Sequence, residues 1–303
     1  MLEYQLLLSF HFDCYLAMSK KFHQSYATLF LLTALILLNS CNPYGEVSYR
    51  ESPKIINVSS YDPKKVQRSG SSYSPLNQAA LKRSGALGQI ARCSKGSSFD
   101  SKCSDFLVGA ERQGLLLGTY HYLTPYSSAT AQADRYIARL RSIKSSRGLR
   151  TDKIMLVGDI DANCSVPHMI RFIDRIKSLT GTYPMIYIEN GELIRSRLRR
   201  ATSSQKRTLR KCPYWLALYS DNYPGIPTPK SLIKATKVWK TWALWQYGGV
   251  EWERGRSRPK HYSAGSWKTP RYLSGLNRPI ERNGFNGSRK ELYALWDRYA
   301  WDW

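Results

Sequence analysis

The chain is poor in acid, in histidine and in clustered cysteine, and each shortage removes a class of function. Only 22 of its 303 residues are Asp or Glu against 46 Lys and Arg, a formal net charge of +24. That balance favours polyanionic surfaces, whether nucleic acid, anionic lipid or an acidic wall polymer, and charge alone does not choose among them. There are five histidines and six cysteines, with no Cys-x-x-Cys and no His-Glu-x-x-His. No zinc site, and no cofactor of any kind, is therefore expected. The densest basic run, Arg195 to Arg200, reads as a solvated helix face. No zinc-finger or RNA-binding signature accompanies it, so nucleic acid is not an expected partner. No internal repeat is present, and no apolar run reaches the ~20 residues that span a bilayer. At 42% hydrophobic and 13% aromatic residues, the sequence still holds ample material for a large core.

What is present begins with the N-terminus. From Met18 a basic Lys20-Lys21 leads to an apolar run, Ala27 to Leu38, and then Asn39-Ser40-Cys41. A positive segment, about a dozen apolar residues and a small residue before the cut are the parts of a secretory signal. Leu38-Asn39-Ser40-Cys41 also resembles a lipobox, with Cys41 as the lipidated residue of the mature protein. The expectation is residues 1–41 as a signal, with Met18 as the true start, and 42–54 as a polar tether. Residues 55–303 would then form a monomeric domain, exported and held to a membrane of a bacterial envelope by its lipid. Export leaves Cys93, Cys103, Cys164 and Cys212 in an oxidising setting. Four cysteines allow three pairings, and the short loop between Cys93 and Cys103 favours that pair.

The domain reads as alternating strands and helices. Helical spacing covers 76–84, 105–113, 128–145, 166–179 and 288–299, and strand-like segments fall at 86–91, 115–122, 153–161 and 185–188. Beyond residue 213 aromatic strands follow without a clear amphipathic helix between them. The expected fold is α/β, a modified TIM-like (β/α) barrel with a strand-rich C-terminal part. A second boundary near 201–212 is the weaker alternative.

The segment 153–161 ends in Asp159-Ile160-Asp161. Alternation along a strand points both carboxylates to one face, and barrels carry functional residues at the C-terminal ends of their strands. The competing reading is a cap and a turn, because Asn163 or Ser165 can cap a helix that Pro167 begins. His121 reads as a structural histidine rather than a catalyst.

Several fragments then resemble the family-25 glycoside hydrolases, the Chalaropsis-type lysozymes. Gly114 to Tyr122 with Ala131-Gln-Ala-Asp134 resembles that family's third strand and following helix, and Asp159-Ile-Asp161 stands at its Asp-x-Glu. Gly181 to Tyr187, Trp215 to Tyr219, Trp245-Gln246-Tyr247 and Glu281 to Gly287 resemble later strands. The resemblance implies an N-acetylmuramidase that cleaves the β-1,4 bond between N-acetylmuramic acid and N-acetylglucosamine of peptidoglycan. By position, Asp161 would be the general acid and Asp159 would orient the substrate acetamido group. Sugar faces would pack on Tyr120, Tyr122, Tyr187, Trp215, Tyr219, Trp245 and Tyr247, while Asn57, Gln246 and Glu281 would supply polar contacts.

Three departures from the pattern accompany the match. Asp161 replaces a glutamate, drawing the carboxyl back by about 1.5 Å. Asn57 stands for the aspartate of the first strand, and Glu281 for a usual aspartate. Lys95, near the cleft, is expected to keep neighbouring carboxylates ionised. Two other readings therefore stay open: a weakened or inactive peptidoglycan-binding lipoprotein on the same fold, and a basic binder of nucleic acid or anionic lipid.

Overall fold

Residues 52–60, 62, 76–189, 191–218, 233–234, 236–248 and 281–303 are described by the structure, a computed structural model. Ten strands and seven helices can be followed among them. The strands are β1 Lys54–Val58, β2 Ala86–Lys95, β3 Ser98–Phe99, β4 Leu116–Leu123, β5 Lys153–Ile160, β6 Met185–Ile188, β7 Tyr214–Ala217, β8 Leu244–Gly248, β9 Glu281–Phe285 and β10 Trp301–Asp302. The helices are α1 Gln78–Arg83, α2 Cys103–Arg112, α3 Ala129–Arg147, α4 Val166–Thr180, α5 Glu192–Arg200, α6 Ser203–Leu209 and α7 Arg289–Tyr299.

Eight strands close on themselves in the order β1-β2-β4-β5-β6-β7-β8-β9. Neighbours are parallel from β1 through β8, whereas β9 runs antiparallel to both β8 and β1. The antiparallel strand has a useful consequence. Its first residue, Glu281, pairs with Asn57 near the C-terminal end of β1, so β9 delivers its beginning to the same rim where the parallel strands deliver their ends.

The barrel interior is filled by alternate residues. Ile55, Ile90, Met155, Val157, Met185, Trp215, Leu244 and Phe285 pack as one cluster across the closed sheet. Gly118 faces the same interior, and a Cβ there would stand 2.8 Å from Ile90 Cγ1, so only glycine lets that layer close beneath Tyr120. The N-terminal end is plugged by α7, whose Leu292 and Trp296 join the cluster, with the Trp296 indole donating to Leu117 O at 2.8 Å. A Ser288–Glu291 capping box starts that helix. Truncating Trp296 to alanine would cost about 3–5 kcal/mol.

The expected helices and strands all occur, with ends shifted by a few residues. Ser128 and Ser165 cap α3 and α4 through the backbone amides of Ala131 and His168. The segment 201–212 is no boundary: α6 occupies it, and residues 45–303 form a single unit. The small β3 hairpin, α5 and α6 were not expected as separate elements. Among the described residues, no helix is long and apolar enough to cross a membrane. The signal segment, Cys41 and the tether up to residue 51 lie outside the described residues, as does Tyr219.

Candidate active site

The C-terminal rim of the barrel gathers most of the residues singled out in the sequence. Asp159 continues the inward face of Met155 and Val157, and Asp161 follows one step beyond the strand. Register places Tyr122 and Tyr187 on either side of Asp159, one from each neighbouring strand. The Tyr122 hydroxyl donates to Asp161 Oδ2 at 2.9 Å, while the Asn163 amide donates to Oδ1 at 2.8 Å. Both oxygens of Asp161 are thus oriented, one by a strand and one by its own turn. Both parts of the cap-and-turn reading occur, Ser165 capping α4 and Asp161 closing a turn with Asn163, and Asp161 Oδ2 still reaches the rim through Tyr122.

Asp159 is held differently. Burial, then the carboxylates of Glu281 and Glu189, push its carboxyl well above the usual range, with Arg92 opposing. Arg92 is itself tethered, its Nε donating to the buried Asp100 carboxylate at 2.9 Å and its guanidinium also reaching Ser60 Oγ at 3.2 Å. Tyr120 shares this pocket, and burial together with Glu281 and Asp159 raises its phenol well above the ordinary value. The Tyr122 phenol is raised by burial and by its bond to Asp161. The expectation that Lys95 would keep the acids ionised is overturned for Asp159: the Lys95 ammonium sits 4.6 Å over the Tyr122 ring, and burial dominates the Asp159 carboxyl.

The opposite wall is an amide network. Asn57 Oδ1 accepts from Asn283 Nδ2 at 2.8 Å and from Gln246 Nε2 at 3.2 Å, and Asn57 Nδ2 donates to Glu281. Gln246 Oε1 in turn accepts from the Tyr187 hydroxyl at 2.8 Å. Asn283 Oδ1 accepts from the Trp215 indole at 2.8 Å. Trp215 lies at the floor, only 2% exposed, with its ring edge-on to Tyr187 at 4.9 Å. It supports the site from below, too deep for a sugar to stack on it.

Two candidates are not brought to the rim interior. Trp245 and Tyr247 flank Gln246 in β8 and so face away from the lumen. The Trp245 indole donates to Leu218 O at 2.7 Å, and Tyr247 packs near Lys54 and Arg282. A period-two pattern distinguishes them from Gln246, and that signal outweighs their aromatic character. His121 likewise faces the helical shell, bonded to Ser94 Oγ and Gln132 Oε1 and stacked on Phe172. Burial lowers its pKa to about 4.

Three rim residues escaped the sequence reading. Arg92 pairs with Tyr120 and has the parity of the interior Ile90, ahead of the register shift in β2, so its direction is a signal present in the sequence. Glu189 follows β6 with the parity of Tyr187, a signal present in the sequence. Tyr126, on the loop after β4, exposes 84% of its surface.

Comparison with known proteins agrees with this fold. The model of glycosyl hydrolases family 25 matches residues 56–255, more than half of the chain. Lysozyme M1 of Streptomyces globisporus is 25% identical over 236 residues, covering 73% of this chain and 67% of that protein. An N,O-diacetylmuramidase of Arthroderma benhamiae is 30% identical over 133 residues, 39% of this chain and 54% of that one. The bacterial lysozyme structure from Streptomyces coelicolor superposes with a TM-score of 0.54 at 22% identity, over 81% of this chain and 97% of the other. The family model covers more than half of the chain and the barrel fold agrees with it, so the chain belongs to glycosyl hydrolases family 25.

Proposed function

We propose that this family-25 glycoside hydrolase is a muramidase, cleaving the β-1,4 bond between N-acetylmuramic acid and N-acetylglucosamine in peptidoglycan. The observation that carries the reading is the Tyr122–Asp161 hydrogen bond beside Asp159 at the open end of the barrel. In this reading Asp161 protonates the leaving glycosidic oxygen, and its two hydrogen bonds fix the direction in which the proton is offered. Asp159, deeper in the rim, orients the substrate acetamido group, a task its carboxyl performs by hydrogen bonding even with its raised pKa. Tyr120, Tyr122 and Tyr187 present ring faces to the sugars, while Gln246, Asn57 and Glu281 brace the far wall.

Purified peptidoglycan incubated with the protein should release new reducing ends between pH 4 and 8, with muramic acid at those ends by mass. A folded protein that binds glycan strands without releasing any would favour the weakened or inactive wall-binding lipoprotein. Steep salt-dependent retention on DNA with indifference to glycan would favour the polyanion binder. Export and attachment through a lipid on Cys41 belong to the same proposal. Metabolic labelling with a fatty acid should mark the wild type and not Cys41→Ala.

A further inference from the structure

Of the three pairings of four cysteines, the sequence favours Cys93 with Cys103 by loop length, and the structure brings the segments of those two together. Cys93 lies near the end of β2 and Cys103 begins α2; both are fully buried free thiols, and Cys93 stands close enough to raise the pKa of the Cys103 thiol. The backbone already draws the two together, with the Asp100 amide donating to Cys93 O at 2.8 Å and the Cys103 amide donating to Asp100 O at 3.5 Å. The other two thiols are engaged elsewhere. Cys164 Sγ donates to Leu123 O at 3.4 Å, and Cys212 Sγ to Thr208 O at 3.9 Å.

We propose that Cys93 and Cys103 form a disulfide in the mature protein, while Cys164 and Cys212 remain thiols. The bridge closes the segment 93–103, which carries the β3 hairpin, Lys95 and Asp100. Asp100 holds Arg92, the cation that opposes the raised Asp159, and Lys95 lies over the Tyr122 ring whose hydroxyl reaches Asp161. A covalent brace behind these residues fixes the β2 side of the rim.

The chemistry is thiol–disulfide exchange with a small-molecule or oxidoreductase disulfide as oxidant. One cysteine, as the thiolate, attacks the oxidant's disulfide and displaces one thiolate, giving a mixed disulfide. The second cysteine thiolate then attacks the protein sulfur of that mixed disulfide and displaces the other. Two thiol protons leave the protein, the Cys93–Cys103 bond carries the oxidation, and the oxidant is reduced to two thiols. Burial also favours the un-ionised thiol of Cys103 and shields both sulfurs. The bridge therefore forms while the chain folds, before α2 packs on β2, and it resists reductant afterwards.

The test uses the full chain and does not depend on its activity. Reduced, denatured protein is refolded in a glutathione redox buffer, alkylated, digested without reductant and mapped by mass. The expected product is a Cys93–Cys103-linked peptide, with Cys164 and Cys212 alkylated once denatured. Four alkylated cysteines, or any other pairing, would overturn the proposal. The bridged form should also unfold about 5–10 °C above the reduced form. Equal midpoints would remove the bracing role, and Cys103→Ala, which cannot form the bridge, should match the reduced form.

Discussion

The two walls of the barrel rim are built on opposite principles. On the β1–β8–β9 side, Asn57, Gln246, Asn283 and the Trp215 indole satisfy one another in a run of hydrogen bonds that continues to Glu281 and Tyr187. On the β4–β5 side, Asp159 is enclosed, its carboxyl raised by burial and by like charges, and Asp161 is held by a phenol and a backbone amide. A satisfied buried network gives rigidity, whereas crowded carboxylates are unfavourable in the fold and persist where they serve chemistry. Under the proposed muramidase reading, the first wall serves shape and the second reaction.

The largest way to break that assignment is Asp161→Asn. In the proposed reading it removes the proton offered to the leaving oxygen, and turnover should fall about 10²–10⁴-fold, read as reducing ends released from peptidoglycan. Glycan binding should stay within a few-fold. If turnover persisted, the proton would come from another rim group, with Glu189 the next to replace.

Asp159→Asn should separate activity from stability. Turnover should drop about 10²–10³-fold, the scale of one lost transition-state contact. The stability effect has the opposite sign. Because the folded-state pKa lies above the ordinary 3.8, the native state binds a proton more tightly than the unfolded chain, so stability declines as pH rises from 3.8 through the raised value. The asparagine variant escapes that loss. Its unfolding midpoint should exceed wild type at neutral pH and converge with it below pH 3.8. A variant less stable at pH 7 would contradict the raised carboxyl.

Much of this site was legible in the chain before any fold was known. Asp159 and Asp161 were placed by period-two alternation at the end of an apolar strand, and the barrel followed from repeated strand–helix units. The amide wall was legible only in part, because Asn57 and Glu281 lie 224 positions apart and meet only when the sheet closes through its antiparallel strand. Arg92 shares the inward parity of Ile90, so its direction was legible, whereas its tether to Asp100 appears only when the β3 hairpin folds back. Trp245 and Tyr247 were drawn toward the site by their aromatic character, though Gln246 between them carried the correct parity.

The amide wall can be tested at its centre with Asn57→Asp. The substitution removes the donor to Glu281 and sets two carboxylates against each other, at a cost of roughly 1–3 kcal/mol. One of the pair would take a proton as pH falls and restore a donor, so the deficit should shrink between pH 7.5 and 4.5 in denaturant titrations. A variant as stable as wild type at pH 7.5 would mean that this wall does not depend on its amide, and the contrast between the walls would fail.

The smallest effect sharpens where the reactive wall ends. Tyr126 follows β4 on the loop at the rim, and its large exposed ring has no packing role to lose. Tyr126→Ala should therefore leave the unfolding midpoint unchanged. If the sugar-binding surface extends outward from Tyr122, loss of one stacking face should raise KM for glycan about 3–10-fold, the equivalent of about 0.5–1.5 kcal/mol, with kcat nearly constant. An unchanged KM would confine the sugar contacts to Tyr120, Tyr122 and Tyr187, inside the ring of strands. A fall in kcat instead would place this loop in the transition-state contacts, joining it to the same wall as Asp161.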